Sequence, residues 1–117
     1  MNKKKASDVL KEALKRVQKG WTQHTSARDK QGRELPTRSR KAVQWCAVGA
    51  ITSQSRVDYL SRGKSDAIER SFRYLKQAID HRVWVNVAIW NDDPARIKDE
   101  VVAAFKAAIE IAVAQKD

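Results

Sequence analysis

The stretch WNDDPAR, residues 90–96, combines side-chain types that can recognise an anionic ligand. Asn91 can both donate and accept hydrogen bonds, and Arg96 can hold a phosphate with two parallel N–H groups. Asp93, which a proline follows, is typical of a helix start and is explained by structure alone. Two interpretations stay open for Asn91, Asp92 and Arg96: a ligand site at a helix N-terminus, or a polar clamp in which Arg96 pairs with Asp92.

A second stretch, GWTQHTSARDKQG, carries a mixture of side chains suited to a nucleotide. Trp21, Gln23, His24 and Arg28 supply an aromatic plane, an amide, an imidazole and a guanidinium. Such a set can hold a base or a phosphate by stacking and paired hydrogen bonds. A tryptophan at a domain edge also serves a core, and that alternative stays open for Trp21. The D-K-Q-G run that ends the stretch predicts a turn.

A third stretch, QWCAVGA, places Trp45 beside Cys46, the single cysteine of the chain. A cysteine nucleophile needs a base, and His24 is the nearest histidine in the sequence. The competing interpretation of Cys46 is a small buried core residue. Gly49 predicts a close approach of another backbone to a helix. Two histidines and one cysteine are too few for a metal site, and no motif for a cofactor is present, so we expect no metal, no cofactor and no enzymatic activity.

Charge is concentrated at the beginning of the chain. The sequence has 117 residues and a net charge of +10. Residues 1–41 hold 13 Lys/Arg and four Asp/Glu, whereas the remainder holds 11 and ten. This asymmetry indicates an anionic partner. No apolar run is long enough for a membrane span, and one cysteine suits a reducing compartment, which predicts a cytoplasmic protein without a membrane partner.

These residues must be positioned by helices, because apolar side chains recur at helical spacing through most of the chain. We predict a mainly α, compact four-helix single domain over residues 1–117, with residues 1–6 as a disordered basic tail. A long polar loop over 21–38 follows the first helix. A short buried apolar segment over 82–90, either a strand or a helical turn, precedes the last helix. The predicted helices are 8–19, with Ser7 as cap and Gly20 as stop; 40–53, capped by Ser39; 66–80, capped by Ser65; and 94–115.

The three stretches, taken in order, resemble a family of small bacterial and phage proteins, domain of unknown function 6197. The resemblance covers nearly the whole chain. Ile97 stands where the family pattern has Thr or Ser. The motifs that carry it are Gly20-Trp21, the D-x-x-G turn of Asp29 to Gly32, the W-C-x-x-G-A helix from Trp45, and the W-N-D-x-P-x-R motif from Trp90. The resemblance implies candidate positions and no chemistry.

We therefore expect a non-enzymatic accessory protein of phage or mobile-element type. It would bind an anionic small molecule, such as a nucleotide or a nucleotide-derived signal, where the three stretches meet. The alternatives are a DNA- or RNA-binding protein that uses the basic N-terminal third, and an enzyme with Cys46 as nucleophile. A host protein and a second copy of the chain are further possible partners. The predicted ligand-binding residues are Trp21, Gln23, His24, Arg28, Trp45, Asn91, Asp92 and Arg96.

Overall fold

A computed structural model describes residues 4–55, 66–79 and 86–117. The predicted mainly α class is confirmed. Within the described part of the chain there are five helices, together with a small three-stranded sheet. In chain order the elements are α1 (Ala6–Lys19), β1 (Ala27–Arg28), β2 (Glu34–Leu35), β3 (Gln44–Trp45), α2 (Ala47–Thr52), α3 (Asp66–Ile79), α4 (Val87–Asn91) and α5 (Lys98–Ala114).

The core lies between α1, α3 and α5. α1 packs most extensively against α5, because each helix has one apolar face at helical spacing. Phe105 of α5 and Leu75 of α3 are fully buried in this layer. The buried apolar residues of α1 are Val9, Leu10, Ala13 and Val17, and those of α5 are Val101, Ala104, Phe105, Ala108 and Ala112.

The long polar loop predicted after α1 holds β1 and β2, two of the three strands of the small sheet. β1 lies between β2 and β3 and pairs antiparallel with both, so that Ala27 is opposite Leu35 and Trp45. The predicted turn is also present: the Gly32 N–H donates to the Asp29 carbonyl at 2.9 Å, and Gly32 has a φ of 82°. Burial acts to raise the pKa of the Asp29 carboxyl, but hydrogen bonds from Arg33 and Gln31 outweigh it and hold the pKa below its ordinary value.

The second helix is shorter than predicted and begins at Ala47 instead of residue 40. The segment before it is held in sheet-like pairing, since the Trp45 N–H donates to the Gly20 carbonyl at 3.0 Å. Ser39 does not cap a helix. Its hydroxyl oxygen accepts a hydrogen bond from the Lys41 N–H at 3.2 Å, which closes a local turn.

The last helix also begins later than predicted. Asp93 closes a turn: its side chain accepts a hydrogen bond from the Ala95 N–H and its carbonyl accepts one from the Arg96 N–H, both at 2.9 Å. α5 begins at Lys98, and the Glu100 carboxylate accepts from the Ile97 N–H at 3.1 Å. The expectation that Asp93 caps the last helix was therefore wrong, because the same Asp-Pro pair also starts turns.

The N-terminus of α1 is satisfied by a residue distant in sequence. Ser7 lies inside the helix and is not its cap; Lys5 occupies the cap position without a side-chain hydrogen bond. The Ala6 N–H donates to the Asp117 carboxylate at 3.0 Å, and the Ser7 N–H donates to the Asp117 main-chain carbonyl at 2.9 Å. Gly20 ends the helix as predicted.

Some predictions fall outside the described residues. These are residues 1–3 of the basic tail, the Ser65 cap, and residues 82–85 of the apolar segment. Ala6, the last residue of the predicted tail, already belongs to α1. The end of the apolar segment is helical, as α4, with the Asn86 side chain accepting from the Ile89 N–H at 3.1 Å.

Candidate functional site

The three stretches singled out in the sequence meet at Asn91, whose side chain is fully buried. Its carbonyl oxygen accepts hydrogen bonds from the Trp21 indole N–H at 2.8 Å and from the Ala47 N–H at 3.0 Å. Its amide nitrogen donates to the Thr22 carbonyl at 3.1 Å and to the Asp92 carboxylate at 3.0 Å. A side-chain amide can donate two hydrogen bonds and accept two, so the whole hydrogen-bonding capacity of the Asn91 side chain is used inside the protein.

Gln23 and Asp92 extend this cluster, which we call the Asn91 junction (Trp21, Gln23, Asn91 and Asp92). The Gln23 amide donates to the main-chain carbonyls of Asn91 at 2.9 Å and Asp93 at 2.8 Å. The Asp92 carboxylate accepts from the His24 N–H at 2.9 Å. His24 itself has a φ of 71°, a conformation that costs energy for a residue with a Cβ, and its ring is 68% exposed. The junction therefore fixes the loop after α1 against α4.

Arg28 and Arg96, the two predicted anion-binding arginines, are occupied by neighbouring groups. Arg28 uses all three nitrogens: it donates to the Thr22 hydroxyl at 2.7 Å and to the carbonyls of Gly32 at 3.0 Å and Gln23 at 3.2 Å. Arg96 donates to the Trp90 carbonyl at 3.0 Å, and its guanidinium lies 4.2 Å from the centre of the Trp90 ring.

The ion pairs of Arg96 differ from the predicted one. Its side chain lies 3.3 Å from the Glu100 carboxylate and 3.9 Å from that of Asp93, whereas the sequence predicted a pair with Asp92. Asp92 is instead engaged with His24 and Asn91. Arg96 thus ties the turn before α5 to the ring of Trp90.

Cys46 occupies the N-cap of α2 and is 7% exposed. Its sulfur accepts a hydrogen bond from the Gly49 N–H at 3.2 Å. Burial raises the pKa of the thiol; N–H groups of Gly49 and Val48 act in the opposite direction, and the Asp92 carboxylate adds to the rise. A raised pKa leaves little thiolate near neutrality, which disfavours nucleophilic attack.

Two small residues explain how closely the segments of this region approach. A Cβ added at Gly49 would lie 2.1 Å from the Ser26 carbonyl oxygen, and one added at Gly20 would lie 2.2 Å from that of Val43. The close approach predicted for Gly49 is therefore confirmed. Trp45 is buried in the core beside this contact and pairs through its backbone with Trp21.

A basic surface lies along α1 and is lined by residues outside the junction. Two open grooves follow each other there, of about 450 Å³ and about 580 Å³. Arg16 lines the first groove and Lys19, one helical turn further on, lines the second. We call the cations of the two grooves the basic face: Lys4, Arg16, Lys19, Lys30 and Arg38.

The cations of the basic face retain unused hydrogen-bond donors. Arg16 donates one N–H to the Ser53 hydroxyl, and Arg38 donates one to the Ser55 carbonyl at 3.0 Å. A guanidinium has five N–H groups, so most of them remain available. The ammonium groups of Lys4, Lys19 and Lys30 have no acceptor among the described residues.

Comparison with known proteins identifies the family of the chain. The model of a family of unknown function, DUF6197, matches residues 1–111. The chain belongs to this family. Neither the curated proteins nor the solved structures include a match to it. DUF6197 thus brings no assigned chemistry to the site.

The described part of this DUF6197 chain contains neither a cluster of side chains suited to a metal ion nor a helix suited to a membrane span. Over residues 4–55, 66–79 and 86–117 the acidic, histidine and cysteine side chains form no group of three that could hold a metal ion. None of the helices in these ranges has the length and apolar character needed to cross a membrane.

Sequence reasoning located the junction of the DUF6197 chain but missed part of the basic face. The predicted residues Trp21, Gln23, Asn91 and Asp92 do come together, whereas Arg28 lies on β1 and packs against the loop. The groove residues Ser53 and Gln54 carry no sequence signal of their own. The excess of Lys/Arg over residues 1–41 was the available signal for the basic face.

Proposed function

We propose that the protein is a non-enzymatic binding protein whose ligand is the phosphate backbone of a nucleic acid lying along the basic face. The observation behind this proposal is that the arginines differ in how many guanidinium N–H groups they donate inside the protein. Arg28 gives three of its five guanidinium N–H groups to the loop around it, whereas Arg16 and Arg38 each give one inside the protein. Unused donors on fixed cations are what a phosphate oxygen requires.

The charge of the first groove supports an anionic ligand. Lys4, Arg16 and Arg38 line it together with a single acid, Glu12. In the second groove the carboxylate of Asp29 is engaged by Arg33 at 2.8 Å, which leaves the lysines there as the unpaired charges among the described residues. Both grooves therefore favour phosphate over a neutral ligand.

The length of the basic face supports a polymer over a single nucleotide. α1 has 14 residues, and at ~1.5 Å per residue it rises about 20 Å. Cations line the grooves from Lys4, two residues before the start of α1, to Lys19, its last residue. A mononucleotide would meet only one of the two grooves, whereas a chain of phosphates follows both.

Binding of a mononucleotide or nucleotide-derived signal at the Asn91 junction stays a prediction. So do a phage or mobile-element role, a host-protein partner and a homo-oligomer. The buried, raised-pKa thiol of Cys46 favours a binding role over the cysteine-enzyme alternative. The basic face is preferred as the ligand site because most of the donors of its arginines are unused.

The proposal is tested by the binding of a short fluorescein-labelled DNA duplex, followed by anisotropy over a series of salt concentrations. Wild-type protein should bind with an affinity that falls steeply with salt. The double variant Arg16→Gln/Arg38→Gln should bind about tenfold more weakly at low salt. Its slope of log affinity against log salt should be smaller by about 2, because each arginine removed leaves one phosphate without its neutralising cation.

A matched control separates the basic face from net charge. Arg73 on α3 and Lys106 on α5 are exposed and line neither groove, so Arg73→Gln/Lys106→Gln removes the same charge elsewhere. This control should lose much less affinity than Arg16→Gln/Arg38→Gln. Equal losses in the two double variants would show that only net charge acts and would overturn the proposed site, as would a wild-type protein that does not bind.

A further inference from the structure

Asp117 and Arg70 fix the short segment that carries Lys4 to the first groove. The Asp117 carboxylate accepts from the Ala6 N–H at 3.0 Å, and its main-chain carbonyl accepts from the Ser7 N–H at 2.9 Å and the Ser7 hydroxyl at 3.0 Å. Arg70 donates to the same carboxylate at 2.7 Å and 3.1 Å. A further N–H of Arg70 donates to the Lys4 carbonyl at 3.2 Å.

Lys4 depends on these contacts because it precedes the first turn of α1. It has no helical hydrogen bond of its own, and residues just before a helix fray unless they are tied down. An ordered cation meets a phosphate without the loss of chain freedom that a mobile one incurs on binding. The hydrogen bond from Arg70 to the Lys4 carbonyl supplies that order.

We infer that Asp117 and Arg70 are positioning residues for nucleic-acid binding, which they promote by holding Lys4 on the basic face. The inference rests on the proposed function. It assigns a role in binding to an acidic residue, although the ligand is itself negatively charged. Neither Asp117 nor Arg70 lines the two grooves, so their effect passes through Lys4.

Whether Asp117→Asn raises or lowers the affinity for DNA distinguishes a positioning role from an effect of net charge. Removing a negative charge close to a basic surface raises the affinity for DNA if net charge alone acts. Loss of the ion pair with Arg70 frees Lys4 and lowers the affinity if positioning acts. We expect Asp117→Asn to bind the labelled duplex about threefold more weakly than wild type, because Lys4 must then be ordered on binding. Glu110→Gln, an exposed residue of α5, removes the same charge as a control and should not weaken binding.

A second variant keeps net charge constant. Arg70→Lys retains the positive charge, but one ammonium cannot reach both the Asp117 carboxylate and the Lys4 carbonyl as the guanidinium does. It should also bind about threefold more weakly, because Lys4 again loses its order in the free protein. Circular dichroism at the temperature of the binding experiment confirms that each variant used is folded.

A double-mutant cycle with Lys4→Ala completes the test. If Asp117 acts through Lys4, Asp117→Asn should cause no further loss of affinity in the Lys4→Ala background. Fully additive losses, or Asp117→Asn binding as tightly as Glu110→Gln, would overturn the inference. Failure of the proposed function itself would appear separately, as equal losses for Arg16→Gln/Arg38→Gln and its control.

Discussion

The Asn91 junction and the basic face both carry side-chain hydrogen-bond donors, but they use them in opposite ways. At the junction, the Asn91 amide and the Gln23 amide make all their described hydrogen bonds to other parts of the protein. On the basic face, the ammonium groups of Lys19 and Lys30 have no acceptor among the described residues. The donors of the junction are satisfied around the fully buried Asn91 side chain, whereas the grooves of the basic face are open.

This difference shows that the residue types in a region do not determine whether its hydrogen-bond donors are free to hold a ligand. Tryptophan, asparagine, aspartate and arginine in one short stretch suggest a binding site, yet buried polar groups must be hydrogen-bonded in any folded protein. A junction of three segments therefore collects the same residue types as a ligand site. The donors that remain unused, rather than the residue types present, indicate where a ligand can be held.

The largest expected effect is the loss of stability in Asn91→Leu. The leucine is of similar size but leaves the Trp21 indole N–H, the Ala47 N–H and the Thr22 carbonyl without their partner. Each unsatisfied buried group costs about 1–3 kcal/mol, so the free energy of unfolding should fall by at least ~3 kcal/mol in urea titrations. Asn86→Ala, which removes the exposed cap of α4, should cost only about 1 kcal/mol. Equal costs would mean that the junction does not hold the fold together.

The sequence predicted helices well where an apolar face repeats over several turns. α1 and α3 were expected at 8–19 and 66–80 and are found at Ala6–Lys19 and Asp66–Ile79. Burial against neighbouring helices enforces this periodicity, and it is visible in one sequence.

Helix starts were predicted poorly because caps and turns share the same chemistry. Ser39 and Asp93 both accept local N–H groups, as a cap does, but each closes a turn. The N–H groups at the start of α1 are satisfied by Asp117, which lies 111 positions from Ala6 and gives no local signal. The junction could be predicted as a meeting point, whereas the use of its donors could not, because that depends on contacts between distant segments.

Asp117→Asn should have the next largest effect on stability. Hydrogen bonds from Arg70, above all, hold the pKa of the Asp117 carboxyl at about 2, below its ordinary value of 3.8. A lowered pKa in the folded state contributes stability that is present above the ordinary value and is lost as pH falls through the folded value. The variant should therefore lose about 2 kcal/mol of unfolding free energy at neutral pH, and the difference from wild type should vanish as pH falls from about 4 to about 2. A difference that does not change over this range would show that the carboxylate charge is not what stabilises α1.

The smallest expected effect is that of His24→Gly. This variant tests whether the exposed ring of His24, beside the junction, contacts the ligand. Glycine adopts the φ of 71° without a steric penalty, so the free energy of unfolding should rise by up to about 1 kcal/mol. His24→Ala keeps the strained backbone and removes the same ring, and it should show no such gain. Affinity for the labelled duplex should be unchanged in both variants, since His24 does not line either groove. If both variants instead bind as weakly as Arg16→Gln/Arg38→Gln, the imidazole contacts the ligand and the site extends to the loop beside the junction.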